Sequence, residues 1–302
     1  MRKYLSNLAV YIHWPFCKAK CPYCDFNSHV RDKIEQDRWR KAMLRELEYM
    51  HQYAPDFTVS SIFFGGGTPS LMPAVTVQAM VSRIHELWKT TKNIEITLEA
   101  NPTSVEADIF KEFRDAGVNR ISLGVQSLRD SELKFLGRGH NVKEAIAAIE
   151  LAGKIFDRYS FDLIYARPQQ TVKDWDAELS EALTLAGDHL SLYQLTIEEN
   201  TAFYHIYAKG NLLLPDENLA EELYLFTEEK MSSQGYIAYE VSNYARDGQE
   251  VLHNLSYWNG SSYIGIGAGA HGRIQIDGKR VATQTLKSPE RWLETVEKQS
   301  NA

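Results

Sequence analysis

The stretch YIHWPFCKAKCPYCDFNSH, Tyr11 to His29, holds all three cysteines of a 302-residue chain, at Cys17, Cys21 and Cys24. The spacing Cys-x3-Cys-x2-Cys puts three thiols on one short loop, enough to wrap a single metal centre. A structural zinc site takes four ligands, so zinc here would need His13, Asp25 or His29 as the fourth. A 4Fe–4S cluster on the same three cysteines keeps one iron without a protein ligand, open to an exogenous chelator. The remaining reading is three unrelated small buried residues, although free cysteines seldom cluster without a ligand role. An odd cysteine count argues against a disulfide framework. So does an N-terminus, MRKYLSNLAV, without the apolar run of a signal peptide. The expected setting is cytoplasmic and reducing, where clustered cysteines point to metal or catalysis.

A loop of this kind needs a scaffold. Short runs rich in Ile, Val, Tyr and Phe predict strands over Ala9–Trp14, Ser60–Phe64, Ile94–Glu99, Arg120–Val125, Tyr159–Tyr165 and Leu190–Leu195. Amphipathic stretches between them, RWRKAMLRELEYMHQ and VKEAIAAIELAGKI among others, predict helices. Thr103-Ser104-Val105-Glu106 reads as a capping box, with Gly117 as the stop of the same helix. Six strand–helix alternations imply a parallel sheet with helical crossovers. Both a doubly wound sheet and a TIM-like barrel satisfy that order. After GYIAYEVSNYA the alternation fades into the Gly-rich YWNGSSYIGIGAGAHGRI, and the chain stops soon after PERWLETVEKQ.

The composition is 44% hydrophobic with a formal net charge of −7. An acidic chain is a poor match for nucleic acid or an anionic membrane surface, because both need clustered cations. No stretch approaches the roughly 18 apolar residues of a membrane span. Polar groups recur where the predicted strands end: Gly65-Gly66-Gly67-Thr68-Pro69, Glu99, Gln126 with Arg138 after it, and Asp162. Parallel barrels build their active sites at the C-terminal ends of their strands.

With the cysteine spacing these groups make a pattern. The motifs YIHWPFCKAKCPYCDFNS, FFGGGTPS, LEANP, RISLGVQS, LGRGH, FDLIYARPQQT and HNLSYWNGSSYIGIGAGAHG resemble the coproporphyrinogen oxidase-like family of radical S-adenosylmethionine (SAM) proteins. The resemblance is strongest to its haem-chaperone branch, HemW, and runs from Leu8 to about Ile274. It implies an incomplete (β/α)6 TIM-like barrel over residues 1–235 and a C-terminal extension over 236–302, with the family's C-terminal domain largely missing. It implies that Cys17, Cys21 and Cys24 ligate a 4Fe–4S cluster. In this family one electron from the cluster breaks a carbon–sulfur bond of SAM to give a 5′-deoxyadenosyl radical. Tyr11, Tyr23, Gly66, Gly67, Thr68, Glu99, Gln126, Arg138 and Asp162 match SAM-contacting positions, and Thr196 aligns near one.

The oxidase branch, which decarboxylates coproporphyrinogen III, carries a further cysteine two places after the third; here Phe26 stands there. The chaperone branch carries HNxxYW, present as His253-Asn254-Leu255-Ser256-Tyr257-Trp258. Haem is therefore the expected third cofactor, with His253 as its ligand and His271, nearer the SAM side, as the fallback. Haem iron commonly takes a histidine nitrogen, and in a helix His253 and Tyr257 would share a face at i, i+4. The implied partner is a haem-acceptor protein, which the chain would reach by peripheral contact if that acceptor is membrane-bound. One departure is Ala166 to Thr171, ARPQQT, which replaces a Gly-Leu-Pro version and is expected to alter the loop beyond Asp162.

Overall fold

The structure is a computed structural model that describes residues 7–103, 109–276 and 278–302. The described residues form thirteen strands. They are β1 (Asn7–Trp14), β2 (Phe16–Cys17), β3 (His29–Val30), β4 (Thr58–Gly66), β5 (Lys89–Ala100), β6 (Arg120–Gln126) and β7 (Arg158–Tyr165). The rest are β8 (His189–Gln194), β9 (Ile237–Ala238), β10 (Asn243–Ala245), β11 (Ser262–Ile266), β12 (His271–Ile276) and β13 (Lys279–Gln284). The large sheet has the order β13-β12-β11-β1-β4-β5-β6-β7-β8-β10-β9, while β2 pairs only with β3.

Its centre, β1-β4-β5-β6-β7-β8, is parallel throughout. Each step between neighbours carries a helix on the way. Among the described strands β1 and β8 are not neighbours, so the six strands do not close on themselves. Five of the six predicted strands lie inside observed strands and the sixth overruns β8 by one residue, Leu195. Of the two architectures the alternation allowed, the incomplete six-stranded barrel implied by the resemblance is the one found. Residues 236–302 add strands to both sides of it: β10 pairs antiparallel with β8, and β11 pairs parallel with β1.

Alternation along the strands makes two different faces. Leu8, Val10, Ile12 and Trp14 of β1, Ile96 and Leu98 of β5, and Phe161, Leu163 and Tyr165 of β7 lie at 0–3% exposure under the helices. The opposite face is polar. Register aligns Glu99 with Ser122, Ser122 with Ser160, and Asp162 with Ser191 across four adjacent strands. Residues in register in a parallel sheet point the same way, so these side chains gather on one surface.

The helices are fixed by the signals that sequence supplies. Gln36–His51 buries Trp39, Met43, Leu47 and Met50 at helical spacing. Val142–Ile155 and Val172–Leu185 begin with capping boxes, Asn141 with Glu144 and Thr171 with Asp174. A lost cap of this type costs about 1 kcal/mol. The expected capping box at Thr103 falls partly outside the described residues; its predicted stop, Gly117, follows the helix Phe110–Asp115 with φ +103°. The C-terminal helix Pro289–Gln299 returns to the first one, where Trp292 stacks on Trp39 at 4.8 Å between ring centroids.

Candidate functional site

The cysteine loop follows β1 and is held from two sides. Gly67 N–H donates to the Trp14 carbonyl (2.7 Å) and Thr68 N–H to the Phe16 carbonyl (2.8 Å), so the glycine loop after β4 is laced directly to it. This contact explains Gly67, since a Cβ there would lie 2.7 Å from the Phe16 carbonyl oxygen. From the other side, Phe203 N–H donates to the Pro22 carbonyl (2.9 Å).

These loops close around a cavity of about 340 Å³ at the C-terminal ends of the strands. Its lining includes Cys17, Cys21, Cys24, Tyr23, Gly66, Gly67, Thr68, Glu99, Gln126, Arg138, Asp162 and Thr196. Twelve of the residues singled out from sequence thus meet in one place, although they span nearly 180 positions. Gln126 ends β6 with φ +73°, which turns the chain at the cavity wall.

Two of the sulfurs already have donors. Thr68 Oγ1 donates to Cys17 Sγ (3.3 Å), and Arg138 Nη1 donates to Cys21 Sγ (3.2 Å). Burial pushes the Cys17 and Cys24 thiols up. A guanidinium and a hydroxyl aimed at sulfur favour the thiolate. Arg138 is itself oriented by Asn101 Oδ1 (2.5 Å) and the Gly124 carbonyl (2.7 Å), and Asn101 Nδ2 reaches Thr68 Oγ1 at 3.4 Å.

The two carboxyls of the cavity resist ionisation. Burial, then the neighbouring Asp162, pushes Glu99 up to about 8. Burial pushes Asp162 up to about 6, against hydrogen bonds from Ser191 and Ser122 that pull it down. Two buried carboxyls so placed are a site for hydrogen-bond donors or positive charge on a ligand.

Tyr11 and His253 lie elsewhere. Tyr11 lines an adjoining chamber that shares Gly66, Glu99 and Phe26 with the cavity. His253, in the helix Leu252–Trp258, is 1% exposed. Its Nδ1 is 3.1 Å from Ser61 Oγ, its Nε2 is 2.8 Å from the Tyr257 hydroxyl, and its ring stacks on Phe63 at 4.9 Å. Burial pulls its pKa down to about 3, so it is neutral. In this arrangement both ring nitrogens are engaged, and a metal could reach either one only after a hydrogen bond is broken.

A radical SAM superfamily profile matches residues 11–182. The chain belongs to the radical SAM superfamily. Within it, the chain is 40% identical to the Escherichia coli protein named heme chaperone HemW, over 96% of this chain and 76% of that one. It is equally 40% identical to mouse radical S-adenosyl methionine domain-containing protein 1, mitochondrial, over 96% of this chain and 67% of the relative. The solved Escherichia coli coproporphyrinogen III oxidase, HemN, superposes with a TM-score of 0.81 at 24% identity, covering 98% of this chain and 70% of that one. That likeness is one of fold. The chain thus spans about two thirds to three quarters of the length of these proteins.

Radical SAM proteins carry a 4Fe–4S cluster and SAM, and the residues present fit both. Among the described residues no three His, Cys, Asp or Glu side chains converge as ligands of one metal ion would. Cys17, Cys21 and Cys24 all line the one cavity, and Thr68 and Arg138 donate to two of the sulfurs, which suits thiolate ligands. Of the zinc ligands considered from sequence, His13 already has Nε2 on the Asn27 carbonyl and Nδ1 on the Tyr11 hydroxyl, both at 2.9 Å. For SAM, the cavity offers Glu99 and Asp162 together with Gly66, Gly67 and Gly124 in its lining.

Sequence reasoning missed several residues of this radical SAM site. Asn101, Ser122 and Tyr193 also line the cavity. Asn101 stands in LEANP, two positions after Glu99; Ser122 and Tyr193 follow from strand alternation once the register is known. The ARPQQT departure has a structural counterpart too. Ala166 takes φ +56°, where glycine is at ease, and the next residue, Arg167, is buried at 3% exposure against Glu178. Glu178 also accepts from Ser127 Oγ (2.5 Å) and Leu128 N–H (2.7 Å), just beyond Gln126. The loop after Asp162 is therefore tied to the turn that carries Gln126.

Proposed function

We propose that this chain is a haem chaperone that holds a 4Fe–4S cluster and SAM, and passes haem to an acceptor protein. Likeness to the HemW chaperones over nearly the whole chain is the observation that carries the haem assignment. The site geometry supports the rest. Cys17, Cys21 and Cys24 would hold three irons, with Thr68 and Arg138 donating to the sulfurs of two of them. Gly66 and Gly67 would let SAM approach the backbone. Glu99 and Asp162 would accept its hydrogen-bond donors and meet its positive charge, with Tyr23, Gln126 and Thr196 beside it. When bound, the cluster and SAM supply one-electron reductive chemistry. Among the described residues no helix is long and apolar enough to cross a membrane, so a membrane-bound acceptor would be met from outside the bilayer.

The test uses anaerobically reconstituted protein with iron and sulfide contents verified. Haem is added, then an apo-haemoprotein, and transfer is followed by the Soret band. Haem binding and transfer without turnover of coproporphyrinogen III are expected. Decarboxylation of coproporphyrinogen III would move the chain to the oxidase reading, and failure of the cluster-loaded protein to bind haem would remove the chaperone reading.

A further inference from the structure

The chamber beside the cluster cavity measures about 480 Å³, within the range of small-molecule sites. Its walls are aromatic and polar together: Tyr11, Tyr257 and Tyr263 with His13, His271 and Lys287. Tyr257 meets Tyr263 edge-on at 4.6 Å between ring centroids. Phe26, 60% exposed, lines this chamber as well as the cluster cavity.

We propose that this chamber is the haem site, with His271 as the ligand to iron and Lys287 meeting a propionate. The inference rests on the chaperone reading and deepens it. Three histidines stand in or beside the chamber, and their surroundings separate them. His13 is 5% exposed and has both ring nitrogens hydrogen-bonded, to Tyr11 and Asn27. His253 is buried behind Tyr257 with both nitrogens bonded, to Ser61 and Tyr257 itself. His271 is exposed, and among the described residues nothing hydrogen-bonds its ring.

The backbone that carries His271 is nonetheless fixed. The residue opens β12 in register with Gln284 of β13, and Ala270 N–H before it donates to Thr285 Oγ1 at 2.9 Å. A free imidazole on a rigid strand is what an axial ligand requires. Lys287 is exposed and has no ion pair among the described residues, while its carbonyl accepts from Asn27 Nδ2 at 3.0 Å. Tyrosine rings supply a surface for a macrocycle. HNxxYW then serves the chamber through Tyr257 as a wall, with His253 holding the tyrosine hydroxyl.

The test is a haem titration of the anaerobically reconstituted full chain, cluster content verified, for wild type, His271→Ala, His253→Gln and Lys287→Glu. His271→Ala should lose the wild-type Soret position and bind haem about tenfold or more weakly, and imidazole added to the solution should restore the band. His253→Gln should keep the wild-type Soret position. Lys287→Glu should weaken binding without moving the band. Wild-type band position and affinity in His271→Ala would overturn the assignment, and so would a displaced band that imidazole does not restore. If wild type with its cluster intact binds no haem, the chaperone reading itself falls, which is a different result from either of those.

Discussion

Replacing Glu46 with Gln should remove a pH dependence that the fold builds in. Glu46 is 1% exposed on the first helix. It accepts from Gly267 N–H at 2.8 Å and from the Trp292 indole at 3.0 and 3.1 Å, so it pins the segment leading to His271 and the C-terminal helix. Burial pushes its carboxyl from 4.5 up to about 8. A group whose folded pKa lies above its unfolded one lends stability that is complete below the unfolded value and is lost as pH rises through the folded value. Between pH 4.5 and 8 the folded chain carries one more proton here than the unfolded chain. Stability then falls by about 1.4 kcal/mol per pH unit from this residue alone. From pH 5 to pH 7.5 the loss is about 3 kcal/mol by that slope. Gln does not titrate. It can still accept from Gly267, but its amide hydrogens compete with the Trp292 N–H, a mismatch that costs about 1–3 kcal/mol at every pH. At pH 5 Glu46→Gln is therefore the less stable protein, and by pH 7.5 the gap closes or inverts. Urea midpoints of cluster-loaded wild type and variant, paired at each pH, cancel the contribution of the cluster. A difference that stays constant from pH 5 to pH 7.5 refutes the reasoning.

Ala at any one of Cys17, Cys21 or Cys24 should bring bound iron and sulfide close to background after anaerobic reconstitution; a triple variant with full iron content contradicts the ligand assignment. Glu99→Gln should weaken SAM binding about tenfold, or 1.4 kcal/mol, with the cluster unchanged. Equal affinities by calorimetry for wild type, Glu99→Gln and Asp162→Asn reject that pair as SAM contacts. Glu178→Ala leaves the buried Arg167 guanidinium with only Glu132, at 3.3 Å, as an acidic partner, which costs up to about 3–5 kcal/mol. The thermal midpoint should fall accordingly and recover in Glu178→Leu/Arg167→Met, and an unchanged midpoint in the single variant shows that the network is not holding the loop.

The six central strands were legible because one face of each is buried under helices, which writes short runs rich in apolar residues with polar ones at alternate positions. Their polar ends were legible because the motifs put a polar or glycine-rich group at or near the end of a run: Gly65-Gly66-Gly67, Glu99, Gln126 and Asp162. Other elements carried no such signal. β11 lies in SYIGI, inside a stretch that reads as Gly-rich loop, yet it pairs with β1 across some 250 positions. Its Gly265 is there for contact, since a Cβ would fall 2.3 Å from the His271 carbonyl oxygen. The packing that demands glycine is thus what erased the strand pattern. His253 shows the same limit from the other side. Helical spacing correctly placed Tyr257 on its face, but that proximity becomes the 2.8 Å contact that occupies Nε2. The groups that finish burying it, Ser61 at Nδ1 and Glu95 on its backbone N–H, come from strands more than 150 positions away. Local spacing can state that two side chains meet; whether a nitrogen is left over for iron depends on partners that only the folded sheet brings to it.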